Sequence, residues 1–414
     1  MKNLLYLISV LIFFGCNLSG KDNPESEKLH DTAMLVSVGL SKKEFTQYHH
    51  LVKNYFDSTL IQRGFSGQIL VAKNGTILYQ RSLGFADFRT QDSMTDNTPL
   101  HIASAGKTFT GMAVLHLWEN NQLSLDDTLG KYFPAFPYKN ITIKMLLSHR
   151  SGLPNYLNYL SLLKKNDTCY SNQDVLNSLY TLKPGLEYRS GTRFSYSNTN
   201  FVLLALIIEQ VTGQSFPAYM KKMFFDPLEM TNTYVYNSGD PLNAPPSFEW
   251  NGKYWNPDPF DCTYGDKNLY TTANDLYKWD QALYSGLLFK ESTLDSAFTP
   301  LSNERRSVHN YGLAWRMLNF PTGKKLIYHN GRWHGSNVCF DRFTDEKATI
   351  IVIGNKYNRN IYSSVRGAYN LFGEYVPEDD KDHDEENNSD SAATVQSKKV
   401  HSTPSNPRAA KTKR

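Results

Sequence analysis

Ser104 and Lys107 stand three residues apart in "HIASAGKTFTGMAVLHL", where small residues give way to a long apolar helical pattern. Residues at that spacing share a helix face, so the hydroxyl and the amine are expected to point the same way. A free lysine titrates near ~10.4 and is a poor base at neutral pH. Burial lowers that value by several units, ~3–5 at the extreme. A desolvated lysine beside a serine can therefore draw off the hydroxyl proton and leave a nucleophilic oxygen. The helix is expected to begin at the serine, where free N–H groups and the positive dipole end favour a developing anion. A plain N-cap would account for Ser104 alone, but not for a lysine on the turn that enters the core. Ser161 and Lys164 repeat the spacing with no comparable apolar helix behind them.

A partner is on offer in "FSYSNTNFVLLALIIEQVTG". Residues two apart in an extended segment face one side, so Tyr196 and Asn198 can reach one cleft. A tyrosine near an ammonium ion is stabilised as phenolate, which makes it a base or proton relay. Lys107 and Tyr196 both stay open as the base. Tyr170-Ser171-Asn172 has the same letters, with no buried helix expected after it. The third piece is "KLIYHNGRWHG". A glycine at the end of this expected strand, Gly331, permits close approach of a ligand to the backbone. An N–H of that strand can pair with the Ser104 N–H to hold an oxyanion. Taken alone, His329 and His334 would read as strand-end histidines bonded to backbone.

The elements that must position these residues are legible as patterns. Two strand-like runs flank Asn74-Gly75, a type I′ hairpin signal. After Ser104, residues Phe109, Met112, Ala113 and Leu117 form one helical stripe. "ITIKMLLSHRSGLP" predicts a short helix with Thr142 as cap and Gly152 as stop. "NFVLLALIIEQVTG" predicts a helix apolar nearly all round, hence deeply buried, ending at Gly213. "TANDLYKWDQALYSG" predicts another helix. "KLIYHNGRWHGSNVCFDRF" and "KATIIVIGN" predict strands. Strands at both ends with helices between them predict a mixed α/β (α+β) fold, its antiparallel sheet made from both chain ends.

The net charge is +4 over 414 residues, and the basic residues are scattered except near the C-terminus, so no nucleic-acid partner is expected. Residues 1–16, "MKNLLYLISVLIFFGC", join one lysine to an apolar run too short to span a bilayer, and read as a signal peptide. The Gly15-Cys16 ending resembles a bacterial lipoprotein signal. Lipidation of Cys16 would anchor the protein to a membrane of the bacterial cell envelope; without it the chain would be secreted. Residues 17–40 read as a polar tether, 41–376 as the folded body, and 377–414 as a disordered charged tail. Cys169, Cys262 and Cys339 are too few for a disulfide framework; at most one bridge is expected, and buried free thiols are the preferred reading. There is no H-E-x-x-H cluster and no G-x-S-x-G elbow, so neither a metal, a cofactor nor an α/β-hydrolase site is expected.

In identity, order and context the three motifs resemble those of the β-lactamase and penicillin-binding-protein superfamily of serine hydrolases, in its class C β-lactamase-like branch. The resemblance covers roughly residues 45–375 and includes "LLSHRSGLPNY" and "NLYTTANDLYKWDQAL". It implies a β-lactamase/transpeptidase-like fold, with an antiparallel sheet flanked by helices, an all-helical lobe and a cleft between them. It implies Ser104 as the acylated nucleophile, Lys107 as its activating partner and Tyr196 as general base or relay. Asn198 would touch the substrate amide. His329 and Gly331 would occupy the Lys-Thr-Gly position on the edge strand, and the Arg332 N–H would complete the oxyanion hole. The implied activity is acyl transfer to water from a D-amino-acid peptide, a β-lactam or a small ester, with no cofactor. True class C β-lactamases carry lysine where this chain has His329, mostly neutral at pH 7, which argues against efficient antibiotic hydrolysis. Arg332 is the expected replacement charge. The alternative is an inactive relative that binds cell-wall peptides or a protein partner. Substrate and oligomeric state are not set by the sequence.

Overall fold

The computed structural model describes residues 39–162, 169–236 and 245–375. Cys16 and the leader, nearly all of the tether, Lys164 and the tail lie outside the described residues. Strands β1 (Gly67–Lys73) and β2 (Thr76–Leu83) form the first hairpin. Asn74 and Gly75 both take positive φ (47° and 72°), as a type I′ turn requires. Short strands β3 (Phe85–Asp87), β4 (Asp92–Ser93) and β5 (Leu100–His101) follow. β5, β6 (Tyr234–Val235) and β7 (Leu269–Thr271) make a small sheet in the order β5-β7-β6. The chain returns to the main sheet in β8 (His309–Tyr311), β9 (Arg316–Asn319), β10 (Lys325–Trp333), β11 (Ser336–Phe343) and β12 (Ala348–Gly354). The main sheet runs β2-β1-β12-β11-β10-β9-β8, antiparallel throughout. β1 pairs with β12 along its whole length, so the two ends of the chain share one sheet.

The helices are α1 (Lys42–Thr59), α2 (Lys107–Glu119), α3 (Ile143–Leu147), α4 (Asn172–Leu182), α5 (Asn198–Thr212), α6 (Phe216–Met220), α7 (Ala273–Ala282), α8 (Glu291–Ala297) and α9 (Asn360–Gly367). Strand alternation divides the apolar residues between two cores. Ile69, Val71, Ile350 and Val352 pack with Val52 and Phe56 of α1 and with Ile361 and Val365 of α9. Leu70, Ile351, Ile353 and Phe340 point the other way, into the core shared with α2, α5 and α7. α5 is buried from Asn198 to Ile208 and ends on Gly213, whose φ of 66° and N–H bond to the Glu209 carbonyl close the helix.

Four expectations need correction. α2 begins at Lys107, not at Ser104, because a 3₁₀ turn over Ala103–Gly106 precedes it. α3 stops at Leu147, well before Gly152, since His149 adopts φ 52° and turns the chain. A helix does follow Tyr170-Ser171-Asn172: Ser171 and Asp174 form a capping box, and α4 buries Val175, Leu176 and Leu179. Its apolar residues lie on one face only, which made the pattern fainter than that of α5. Finally, Cys169 and Cys262 form a disulfide across 93 residues of sequence, while Cys339 is a buried thiol. The pairing depends on the tertiary approach of α4 to the loop before β7, which spacing does not encode.

Candidate active site

Ser104 sits on the 3₁₀ turn that leads into α2. Ala103, just before it, has φ 48°, a left-handed conformation that costs a non-glycine residue roughly 1–2 kcal/mol. Strand β10 lies directly against this turn. A Cβ on Gly331 would come within 2.3 Å of the Ile102 carbonyl oxygen and 3.1 Å of the Ala105 nitrogen, so only glycine permits the approach. Lys107 Nζ donates to Ser104 Oγ at 3.0 Å and to the Asp266 carbonyl at 2.7 Å. The lysine has no solvent exposure and the serine 7%. Hydroxyl and amine thus point at each other in a nearly dry site. Ser104 makes no side-chain cap to the helix.

Tyr196 borders the same crevice, with Lys107 Nζ 5.1 Å from its ring centroid. Asn198 is buried as the first residue of α5. The segment around His149 grips this helix start. His149 Nδ1 accepts from the Ser197 N–H and from Asn200 Nδ2, both at 3.1 Å. Ser151 donates to Asn200 Oδ1, Thr199 donates to the Pro154 carbonyl, and the Tyr156 N–H donates to Thr199 Oγ1. The His149 ring lies 4.2 Å from that of Tyr196, tilted 33° to it. With Nδ1 accepting twice, the proton belongs on Nε2. Burial, reinforced by the charges of Lys107 and Arg316, holds His149 well below the usual histidine range, so it is neutral.

His329 is fully buried on β10. Its Nδ1 donates to the Asn330 carbonyl at 2.7 Å, so its Nε2 accepts from Tyr311 Oη at 3.3 Å. Burial first, then the Arg316 and Lys107 charges, keeps it well below its ordinary value. It therefore supplies a neutral wall. Arg332 follows Gly331 on β10 and is half-buried. A different cation stands nearer the tyrosine: the Arg316 guanidinium lies 5.2 Å from the Tyr196 ring. The β9–β10 register pairs Arg316 with Tyr328, next to His329. The sequence motifs do not single out Arg316, His149 or Asp266. His149 lies inside the "LLSHRSGLPNY" motif, which is its signal in the sequence; Arg316 and Asp266 become visible only through register and packing. His334 lies apart from these groups, bonded to Asp261 Oδ1 at 2.9 Å. Asp258, Asp261 and His334 place ligand-type atoms within 4.8 Å of one another, where Asp261 already accepts from His334 and from Trp333 Nε1.

Two consequences are measurable. Gly331→Ala is expected to lever β10 off the Ser104 turn and slow labelling of Ser104 by a fluorophosphonate by about 10²-fold, read by stopped flow. The second concerns pH. His101, His149 and His329 are all buried, with His101 pushed down to about 3 chiefly by desolvation. Their folded values lie below the unfolded value of ~6.5, so their stabilisation is complete above that pH and lost as pH falls and the unfolded chain takes up protons. Each should contribute roughly 1 kcal/mol of lost stability between pH 6 and pH 5. Urea denaturation at the two pH values checks this, and His101→Gln should flatten the dependence by about a third.

A family model described as Beta-lactamase matches residues 52–369. Penicillin-binding protein 4* of Bacillus subtilis is 29% identical over 323 residues, covering 74% of this chain and 71% of that protein. Among solved structures, a penicillin binding protein from Bacillus halodurans superposes with a TM-score of 0.67 at 23% identity, over 77% of this chain and 98% of that one. D-amino acid amidase from Ochrobactrum anthropi SV3 superposes with a TM-score of 0.61 at 21% identity, over 76% and 96%. The fold is thus β-lactamase/transpeptidase-like, and the family match extends over most of the sequence from α1 to the turn after α9: the chain belongs to the beta-lactamase family.

Proposed function

We propose that this protein is a serine acyl-hydrolase that works through a covalent acyl-enzyme on an amide or ester. The observation that carries the reading is the bond from the buried Lys107 amine to Ser104 Oγ, in a crevice that Tyr196 and β10 also line. In this reading the Ser104 proton passes to Lys107 or Tyr196, and Oγ attacks the carbonyl carbon. The leaving amine or alcohol departs with a proton, and water then releases the acid and restores the serine. The N–H groups of Ser104 and Arg332 hold the oxyanion. Support for Arg332 comes from the Gly331 carbonyl, which accepts from Tyr362 Oη at 2.8 Å. In a trans peptide the following N–H points the opposite way, away from Tyr362. Asn198 contacts the substrate amide.

Three substrate classes stay in this reading: D-amino-acid peptides, β-lactams and small esters. Neutral His329 offers no cation to a substrate carboxylate, whereas Arg316, half-buried beside Tyr196, does. That favours a substrate whose acyl part or leaving group carries a carboxylate near the scissile bond. The relative named as a penicillin-binding protein supports a place in the bacterial cell envelope. A lipid anchor at Cys16 is part of the proposal.

The test compares wild type and Ser104→Ala on p-nitrophenyl esters, D-alanyl peptides, nitrocefin and labelled penicillin. Wild type is expected to turn over at least one ester or peptide and to carry label at position 104, and Ser104→Ala to lose both by at least about 10³-fold. Failure of a fluorophosphonate and of penicillin to label folded wild type would leave the binding-module alternative in its place. Arg316→Gln should raise KM for carboxylate-bearing peptides by about 10-fold and leave neutral esters unchanged; equal effects on both would remove Arg316 from substrate recognition.

A further inference from the structure

Lys107 has a second partner whose surroundings the proposed reaction does not use. The carbonyl that accepts from its Nζ belongs to Asp266. Thr110, one turn along the same face of α2, donates to the neighbouring Gly265 carbonyl at 2.8 Å. Gly265 has φ 91°, and a Cβ there would lie 2.5 Å from the Phe201 carbonyl oxygen, so glycine lets this segment press against α5. Side chains then lock it. Asp266 Oδ2 accepts from Tyr156 Oη at 2.9 Å and from Lys267 Nζ at 3.3 Å. Lys267 also donates to Thr263 Oγ1 at 2.6 Å and to Tyr156 Oη, and its ammonium lies 4.6 Å from the Trp333 ring centroid. Asp266 is 1% exposed and Lys267 4%. A buried ion pair is a weak contributor to stability, because desolvating two charges offsets most of their attraction. Its position directly behind Lys107 suggests a different use.

The groups around the amine can be enumerated. Ser104 shares its turn, Tyr196 comes from the entry to α5, His149 from the turn after α3, His329 from β10 and Arg316 from β9. Both histidines are neutral. Asp266, Lys267 and Tyr156 close the remaining side. Bond lengths alone keep the Asp266 carboxylate within roughly 8 Å of the amine that its carbonyl holds. An unbalanced anion at that distance favours the ammonium form and would withdraw Lys107 from service as a base. Lys267 places a compensating cation on that carboxylate.

Resting on the acyl-hydrolase reading, we propose that Tyr156, Asp266 and Lys267 form the positioning network of Lys107. The network fixes the carbonyl that aims the amine at Ser104, and Lys267 balances the carboxylate so that the amine can shed its proton at working pH. The three act through Lys107, which the Asp266 carbonyl holds, and not on the substrate.

The experiment follows the rate of fluorophosphonate labelling at Ser104 against pH, in the full chain, with Tm recorded for each variant. Lys267→Met should move the acid limb of the profile upward by about one pH unit, read as about tenfold slower labelling on that limb. Lys267→Arg, which keeps the charge, should return the limb towards the wild-type position. Asp266→Asn keeps the carbonyl and removes the anion, so its limb should move the other way. This variant also carries the test if Lys267→Met does not fold. A lowered Tm with unmoved limbs in the folded variants would mean a merely structural network and overturn the proposal. Wild type that takes no label at any pH would overturn the acyl-hydrolase reading itself, and the network's role with it.

Discussion

One amine organises the site. Lys107 is out of contact with solvent, and its donors meet a serine oxygen on one side and a backbone carbonyl on the other. An ammonium ion so placed would lose several kcal/mol of hydration, which is why burial pushes a lysine towards its neutral form and makes it useful as a base. The value of the arrangement depends on the exclusion of water. In a solvated cleft the same two side chains would be a surface hydrogen bond of little consequence.

Keeping that pair dry and aligned requires parts of the chain that lie far apart in sequence. The turn that carries Ser104 is wedged against β10 at a spacing that only Gly331 allows. α2 enters the core directly behind it, so residues 107 to 115 are all buried. On the opposite side the start of α5 brings up Tyr196 and Asn198, and the segment from His149 to Tyr156 bonds Ser197, Thr199 and Asn200 at that helix start. The site is therefore a seam between the main sheet and the helical lobe. A seam of this kind suits a reaction that needs a carbonyl carbon presented between a nucleophile and a pair of N–H donors.

Charge is distributed with the same economy. His149 and His329 contribute shape and hydrogen bonds but no charge, because burial disfavours their protonated forms. Each has a tautomer dictated by its partners: two donors on Nδ1 in one case, a carbonyl on Nδ1 in the other. The Arg316 guanidinium, always protonated, lies 5.2 Å from the Tyr196 ring centroid, and the Lys107 amine, whose charge follows the position of the shared proton, lies 5.1 Å from it. A positive field across a tyrosine stabilises phenolate and attracts anionic substrate groups. Beside the expectation that Arg332 supplies the charge stands the proposal that Arg316 does, which rests on β9 bringing its guanidinium beside Tyr196.

Local pattern carried much of this protein. The Asn74-Gly75 hairpin, the apolar stripe after Ser104, the buried α5 with its Gly213 stop and the returning strands each follow from period, cap and turn chemistry within a dozen residues. So does the pairing of Ser104 with Lys107, because three residues on a helical path share a face whatever the fold. What tertiary structure decided has no short-range signature. The 3₁₀ turn that displaces the start of α2 answers to β10 pressing on Ala103, and the Cys169–Cys262 bridge answers to a loop crossing 93 residues away. Arg316 reaches Tyr196 through strand register, and the Asp266 carbonyl reaches Lys107 through the packing of a glycine against α5. Residue types and their spacing can name a nucleophile and its helper. Which distant carbonyl, ring or cation completes the site depends on how sheet and lobe close on each other, and that is set by the packing of the whole core.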